Sequence, residues 1–103
     1  MQLLTGGKVA VGVQSEITGM TLEQYDEALK RMGFESQGSG APGCLFHWVT
    51  KTADGIRVTD VWKNQEDFEK FAEEKAGPTL QAVGVQSQNE PEYCDVYNYL
   101  TAG

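Results

Sequence analysis

The first regular signal in the chain is an alternation of apolar and polar positions. From Lys8 to Ile17, Val9, Val11, Val13, Ser15 and Ile17 alternate with Lys8, Ala10, Gly12, Gln14 and Glu16, the period-two pattern of a half-buried strand. The period then changes. Leu22, Tyr25, Ala28, Leu29 and Met32 recur at helical spacing and form one apolar stripe, while Asp26–Lys30 and Glu27–Arg31 make i,i+4 pairs on the opposite side. Thr21 and Gln24 have the spacing of a capping box, and Gly33 suits the left-handed residue that ends a helix.

Residues 35–43 read Glu-Ser-Gln-Gly-Ser-Gly-Ala-Pro-Gly, a flexible loop by composition. Two alternating runs follow, Cys44–Thr52 and Ile56–Lys63, joined through Ala53-Asp54-Gly55. An Asp-Gly between two such runs predicts a β-hairpin. Asn64 caps a second helix with Glu66 and Asp67 in its first turn and Phe68, Phe71 and Ala72 turned inward. Gly77-Pro78 is expected to stop it, with a short further turn over Thr79–Val83. Alternation resumes from Tyr93 to Leu100 as a last strand. Gly-Val-Gln-Ser occurs at 12–15 and at 84–87, once in a strand and once after a helix, so the copies are not a structural repeat.

Strand–helix–strand–strand–helix–strand is the split-βαβ order. It predicts one α+β domain over residues 1–103: a ferredoxin-like βαββαβ antiparallel sheet with both helices on one face. Right-handed crossovers place the third strand between the first two and the fourth beside the first. The other sheet face is left open, and a second copy of the chain is the simplest cover, so a homodimer is expected. Cys44 and Cys94 fall on opposite edge strands, too far apart for a disulfide within one chain.

On the hairpin, Leu45, His47 and Val49 share a face with Ile56, Val58, Asp60 and Trp62. Cys44, Phe46, Trp48 and Thr50 share the other with Arg57, Thr59, Val61 and Lys63. The first set is the more apolar and is assigned to the helix side. It places His47 beside Asp60 and Trp62 within a mostly hydrocarbon layer. Such a histidine can be held in one tautomer and exchange a proton near neutral pH, and Trp62 offers a flat wall to an aromatic ligand. Tyr25 and Met32 overhang the same layer. A purely structural pair, in which Asp60 satisfies a core histidine and Trp62 fills volume, is the competing interpretation. Tyr93, Asp95, Tyr97 and Tyr99 line one side of the last strand and are assigned first to dimer contacts, while the 35–43 loop is placed as a lid over the pocket.

Charge narrows the partners. A net charge of −7 disfavours nucleic acid, whose phosphates require a basic surface. No apolar run approaches the ~20 residues of a membrane span, and Met1–Lys8 lacks the pattern of a signal peptide, so a cytoplasmic protein is expected. Two cysteines and one histidine do not make a zinc site, the glycine-rich loop has no phosphate-binding lysine, and no metal or cofactor is expected.

The runs Gly19-Met20-Thr21-Leu22-Glu23-Gln24-Tyr25-Asp26, Pro42-Gly43-Cys44-Leu45-Phe46-His47, Asp60-Val61-Trp62 and Gln65-Glu66-Asp67-Phe68-Glu69-Lys70-Phe71 resemble uncharacterised bacterial members of the dimeric α/β-barrel superfamily. The antibiotic-biosynthesis-monooxygenase-like proteins belong to the same superfamily. The resemblance spans Val9 to Leu100. It implies two sheets closing into a barrel about a two-fold axis, with a pocket between sheet and helices in each subunit. It also implies a hydrophobic or aromatic small ligand, and an activity such as cofactor-independent monooxygenation. The alternative is a non-catalytic carrier or sensor. In this scheme His47 and Asp60 are the catalytic pair, and Trp62, Tyr25 and Met32 bind the ligand. Haem breakdown does not fit, because the haem-degrading branch uses a helical histidine and the helix from Gln65 to Ala76 has none.

Overall fold

The computed structural model describes residues 9–86 and 89–101, so Met1–Lys8 and the Ser87 of the second Gly-Val-Gln-Ser copy lie outside the described residues. The elements run β1 (Ala10–Thr18), α1 (Leu22–Met32), β2 (Cys44–Thr52), β3 (Gly55–Trp62), α2 (Gln65–Phe71), a π-helical segment (Ala72–Ala76), α3 (Gly77–Ala82) and β4 (Glu92–Val96). The sheet order is β2-β3-β1-β4 and every pairing is antiparallel, the ferredoxin-like arrangement expected.

Helix α1 begins as its sequence dictates. The Thr21 side chain accepts from the Gln24 backbone N–H, and the Gln24 side chain accepts from the Thr21 N–H at 2.9 Å, so two free donors of the first turn are satisfied. Gly33 ends the helix in the left-handed region at φ 85°.

The hairpin forms, but not for the reason its Asp-Gly suggests. Thr52 pairs directly with Gly55, so Ala53 and Asp54 are the central turn residues, and neither has a positive φ. Gly55 lies inside β3, opposite Thr18 of β1. A Cβ there would overlap the Ile17 carbonyl oxygen, so the glycine is required by close backbone approach.

A register irregularity between Cys44 and Phe46 corrects the face assignment at the start of β2. Cys44 pairs with Trp62, Phe46 with Val61 and His47 with Asp60. Leu45 is the extra residue of a bulge. Cys44 therefore joins His47 and Val49 on the helix side and packs against Val11, Val13, Ala41 and Trp62, while Phe46, Trp48 and Thr50 stay on the open face as expected.

Gly77-Pro78 does not stop the second helix. The Gly77 N–H reaches back five residues to the Ala72 carbonyl, and this wider turn places Pro78 in the first turn of α3, where a missing N–H costs little. Leu80 of α3 is then carried into the core.

Two apolar clusters form under the helices. One joins Ile17, Met20, Ala28, Ile56, Leu80 and Val85, and the other joins Val11, Val13, Ala41 and Trp62. The last strand is shorter than its pattern, ending at Val96. Tyr93 lies opposite Val13 and meets the Phe68 ring edge-on at 6.0 Å, so it faces the helix layer while staying 38% exposed. On the open face, Phe46 and Trp48 pack together at 5.7 Å and remain 52% and 44% exposed.

Candidate functional site

One rung of the sheet carries the polar constellation. Pairing across the strands aligns Tyr93, Val13, Asp60 and His47 on the helix side. His47 Nδ1 lies 2.6 Å from Asp60 Oδ1, and the Trp62 indole Nε1–H donates to Asp60 Oδ2 at 3.0 Å. From the first turn of α1, the Tyr25 hydroxyl lies 2.6 Å from His47 Nε2. The Tyr25 and His47 ring planes are within 7° and their centroids are 6.1 Å apart, so the rings sit end to end through this bond rather than face to face. Tyr25, His47, Asp60 and Trp62 are thus one continuous hydrogen-bonded chain.

The chain fixes its own polarity. An indole only donates, and as a carboxylate Asp60 only accepts. The short contact to Asp60 is then His47 Nδ1–H donating, which in a neutral imidazole leaves the lone pair on Nε2. The Tyr25 hydroxyl can approach that lone pair at 2.6 Å only as a donor. Trp62 is 1% exposed and locks Asp60 in place, with Phe68 meeting its ring edge-on at 5.7 Å and Phe71 at 5.6 Å. His47 differs from expectation: its side chain is 34% exposed against 8% for Asp60, so it stands at the rim of the apolar layer, not inside it.

These side chains form part of the wall of a cavity of about 1450 Å³ between the sheet and the helices. Tyr25, Met32, His47, Asp60 and Trp62, the residues singled out from sequence, all line it. Members of both apolar clusters contribute, including Ile17, Met20, Leu80 and Ala41. The 35–43 loop supplies one side through Glu35 to Ala41, so its expected place at the pocket holds. Its far end is tied to the sheet by the Lys63 N–H donating to the Gly43 carbonyl at 2.9 Å.

Cys44 and Tyr93 are among the cavity residues that sequence did not place there. Cys44 reaches the site only because of the bulge, and the available signal was the Pro42-Gly43 pair just before the strand. Tyr93 was visible as an aromatic on an alternating strand, and only its strand phase relative to Val13 decides its side.

Electrostatics follow the burial. Desolvation, reinforced by the carboxylates of Asp60 and Asp26, pushes the Tyr25 hydroxyl up to about 12. Burial and then Asp60 push the Cys44 thiol up to about 11, which favours the protonated thiol over the nucleophilic thiolate at neutral pH.

No family model matches the chain, and no curated protein does. A solved structure does match at the level of the fold: a protein of Chloroflexus aurantiacus J-10-fl that carries a provisional assignment as an antibiotic biosynthesis monooxygenase. It is 19% identical, with a TM-score of 0.57, over 91% of this chain and 99% of that one. The chain shares the α+β ferredoxin-like fold of that protein.

Proposed function

We propose that the protein binds a hydrophobic or aromatic small molecule in the cavity between sheet and helices, and that it acts on it as a cofactor-independent monooxygenase. The observation that carries this reading is the Tyr25–His47–Asp60–Trp62 chain set into the wall of an otherwise largely apolar cavity. His47 is the general base, Asp60 holds its tautomer and stabilises the imidazolium that forms, and Trp62, Tyr25 and Met32 shape the site around the ligand. A substrate that loses a proton becomes electron-rich enough to react with dioxygen directly. A methylene so activated becomes a carbonyl as one oxygen atom is retained and the other leaves as water. The provisional assignment of the Chloroflexus protein is consistent with this reading.

The working form in this reading is a homodimer, in which a second copy covers the open sheet face around Phe46 and Trp48.

Oxygen-electrode assays with the polyphenol dithranol test the activity. His47→Ala is expected to lower turnover by about 100-fold or more, the span of general-base catalysis. Unchanged turnover in His47→Ala removes His47 from the chemistry. A carrier or sensor is the second reading, favoured by one observation: both His47 nitrogens are already engaged within the protein. Binding without oxygen uptake would decide for it.

A further inference from the structure

We infer that the ligand meets the hydrogen-bonded chain at Tyr25, and that Tyr25 Oη selects uncharged or cationic molecules carrying a hydrogen-bond donor while the cavity wall rejects anions. The inference rests on the cavity being the binding site proposed above, but not on any oxygenation taking place there.

Donation along the chain runs toward Asp60. Trp62 donates to Asp60, His47 Nδ1–H donates to the Asp60 carboxylate, and with the imidazole neutral the Tyr25 hydroxyl donates to His47 Nε2. A tyrosine hydroxyl has one proton and two lone pairs, and its proton is committed to His47. Toward the cavity, Oη therefore offers acceptor capacity only. A ligand hydroxyl or amine satisfies it, whereas an ether or carbonyl oxygen placed there leaves lone pairs facing one another. The high proton affinity of Tyr25 keeps the hydroxyl protonated across the neutral range. The same order gives a proton route: as the ligand proton passes to Oη, the Tyr25 proton passes to Nε2, and the imidazolium stays paired with Asp60. No electrons change hands in that transfer.

The charge of the wall acts in the same sense. Glu35, Asp60, Glu69 and Glu73 line the cavity, and among the described residues that line it there is no lysine or arginine. A carboxylate or phosphate entering this space would pass the exposed Glu35, Glu69 and Glu73 and find no lysine or arginine to replace its hydration. A neutral or cationic ligand meets no such penalty.

Three ring-matched probes separate these effects: 2-naphthol, 2-methoxynaphthalene and 2-naphthoate, titrated by quenching of tryptophan fluorescence. The wild type is expected to bind 2-naphthol about fivefold or more tightly than its methyl ether, the scale of one hydrogen bond, and 2-naphthoate more weakly than either. In Tyr25→Phe the preference for the hydroxyl over the ether should fall to near one. A preference that survives in Tyr25→Phe overturns the assignment of the contact to Tyr25. The wild type alone can also overturn the inference, if it shows no preference between 2-naphthol and the ether or binds 2-naphthoate best. Failure to bind any of the three defeats both this inference and the proposed function. The expected preferences, with no oxygen uptake on dithranol, defeat the oxygenase reading and leave this one standing.

Discussion

His47 is the single histidine of the chain, so its imidazole nitrogens give unambiguous signals. Nitrogen-15 NMR is expected to show the Nδ1–H tautomer in the wild type. Asp60→Asn replaces one acceptor oxygen by an NH2 group and cannot accept from both His47 and Trp62. The ring should then shift toward the Nε2–H tautomer, with turnover lost and the fold retained; an unchanged tautomer means that Asp60 does not set it. A second outcome concerns alkaline pH. Tyr25 moves from 10.0 to about 12 and Cys44 from 9.0 to about 11, so the folded state holds these protons more tightly than the unfolded chain. Their stabilisation is complete below about pH 9 and is lost as pH rises toward 12. Denaturant melts should therefore weaken over that window, and less so in a Tyr25→Phe, Cys44→Ala variant. The pairing of His47 with Asp60 and Trp62 was legible in the sequence, because pleat alternation places them together. The engagement of Tyr25 with His47 was not, since it depends on how far α1 stands above the sheet.

Elements were legible wherever local chemistry decides them. The Thr21–Gln24 box and Gly33 frame α1 because each satisfies backbone groups within a few residues. The failures come where a distant strand or a neighbouring turn decides. The bulge at Leu45 answers to the fit of β2 on β3, and Gly55 answers to β1. Gly55 therefore makes a discriminating test. A glycine needed for a left-handed turn tolerates asparagine far better than alanine. Here Gly55→Asn and Gly55→Ala should both destabilise, by about 1–3 kcal/mol, lowering Tm by several degrees in thermal melts. A tolerated asparagine would return the residue to the turn.

The molecule as a whole has one face finished and one unfinished. Helices cover the side bearing His47, while Phe46 and Trp48 stand half exposed on the other. Sedimentation analysis should find a dimer in the wild type and a monomer in Trp48→Glu, because a buried unpaired charge outweighs most of what the patch gains by burial. A Trp48→Glu protein that still dimerises does so through another surface. Topology was legible from element order alone, but the size of the cavity was not, because it depends on the separation of two apolar clusters that pattern cannot measure. Chain length also matters in a way that substitutions would not reveal. The widened turn at 72–76 spends more chain than an ordinary helical turn, and one residue corresponds to about 100° of rotation. Losing a single codon there would swing Leu80 out of its cluster and drive the Pro78 ring against a carbonyl of the preceding turn. In descent, that deletion and the replacement of Pro78 are tied together: relatives should carry both the long turn and the proline, or neither.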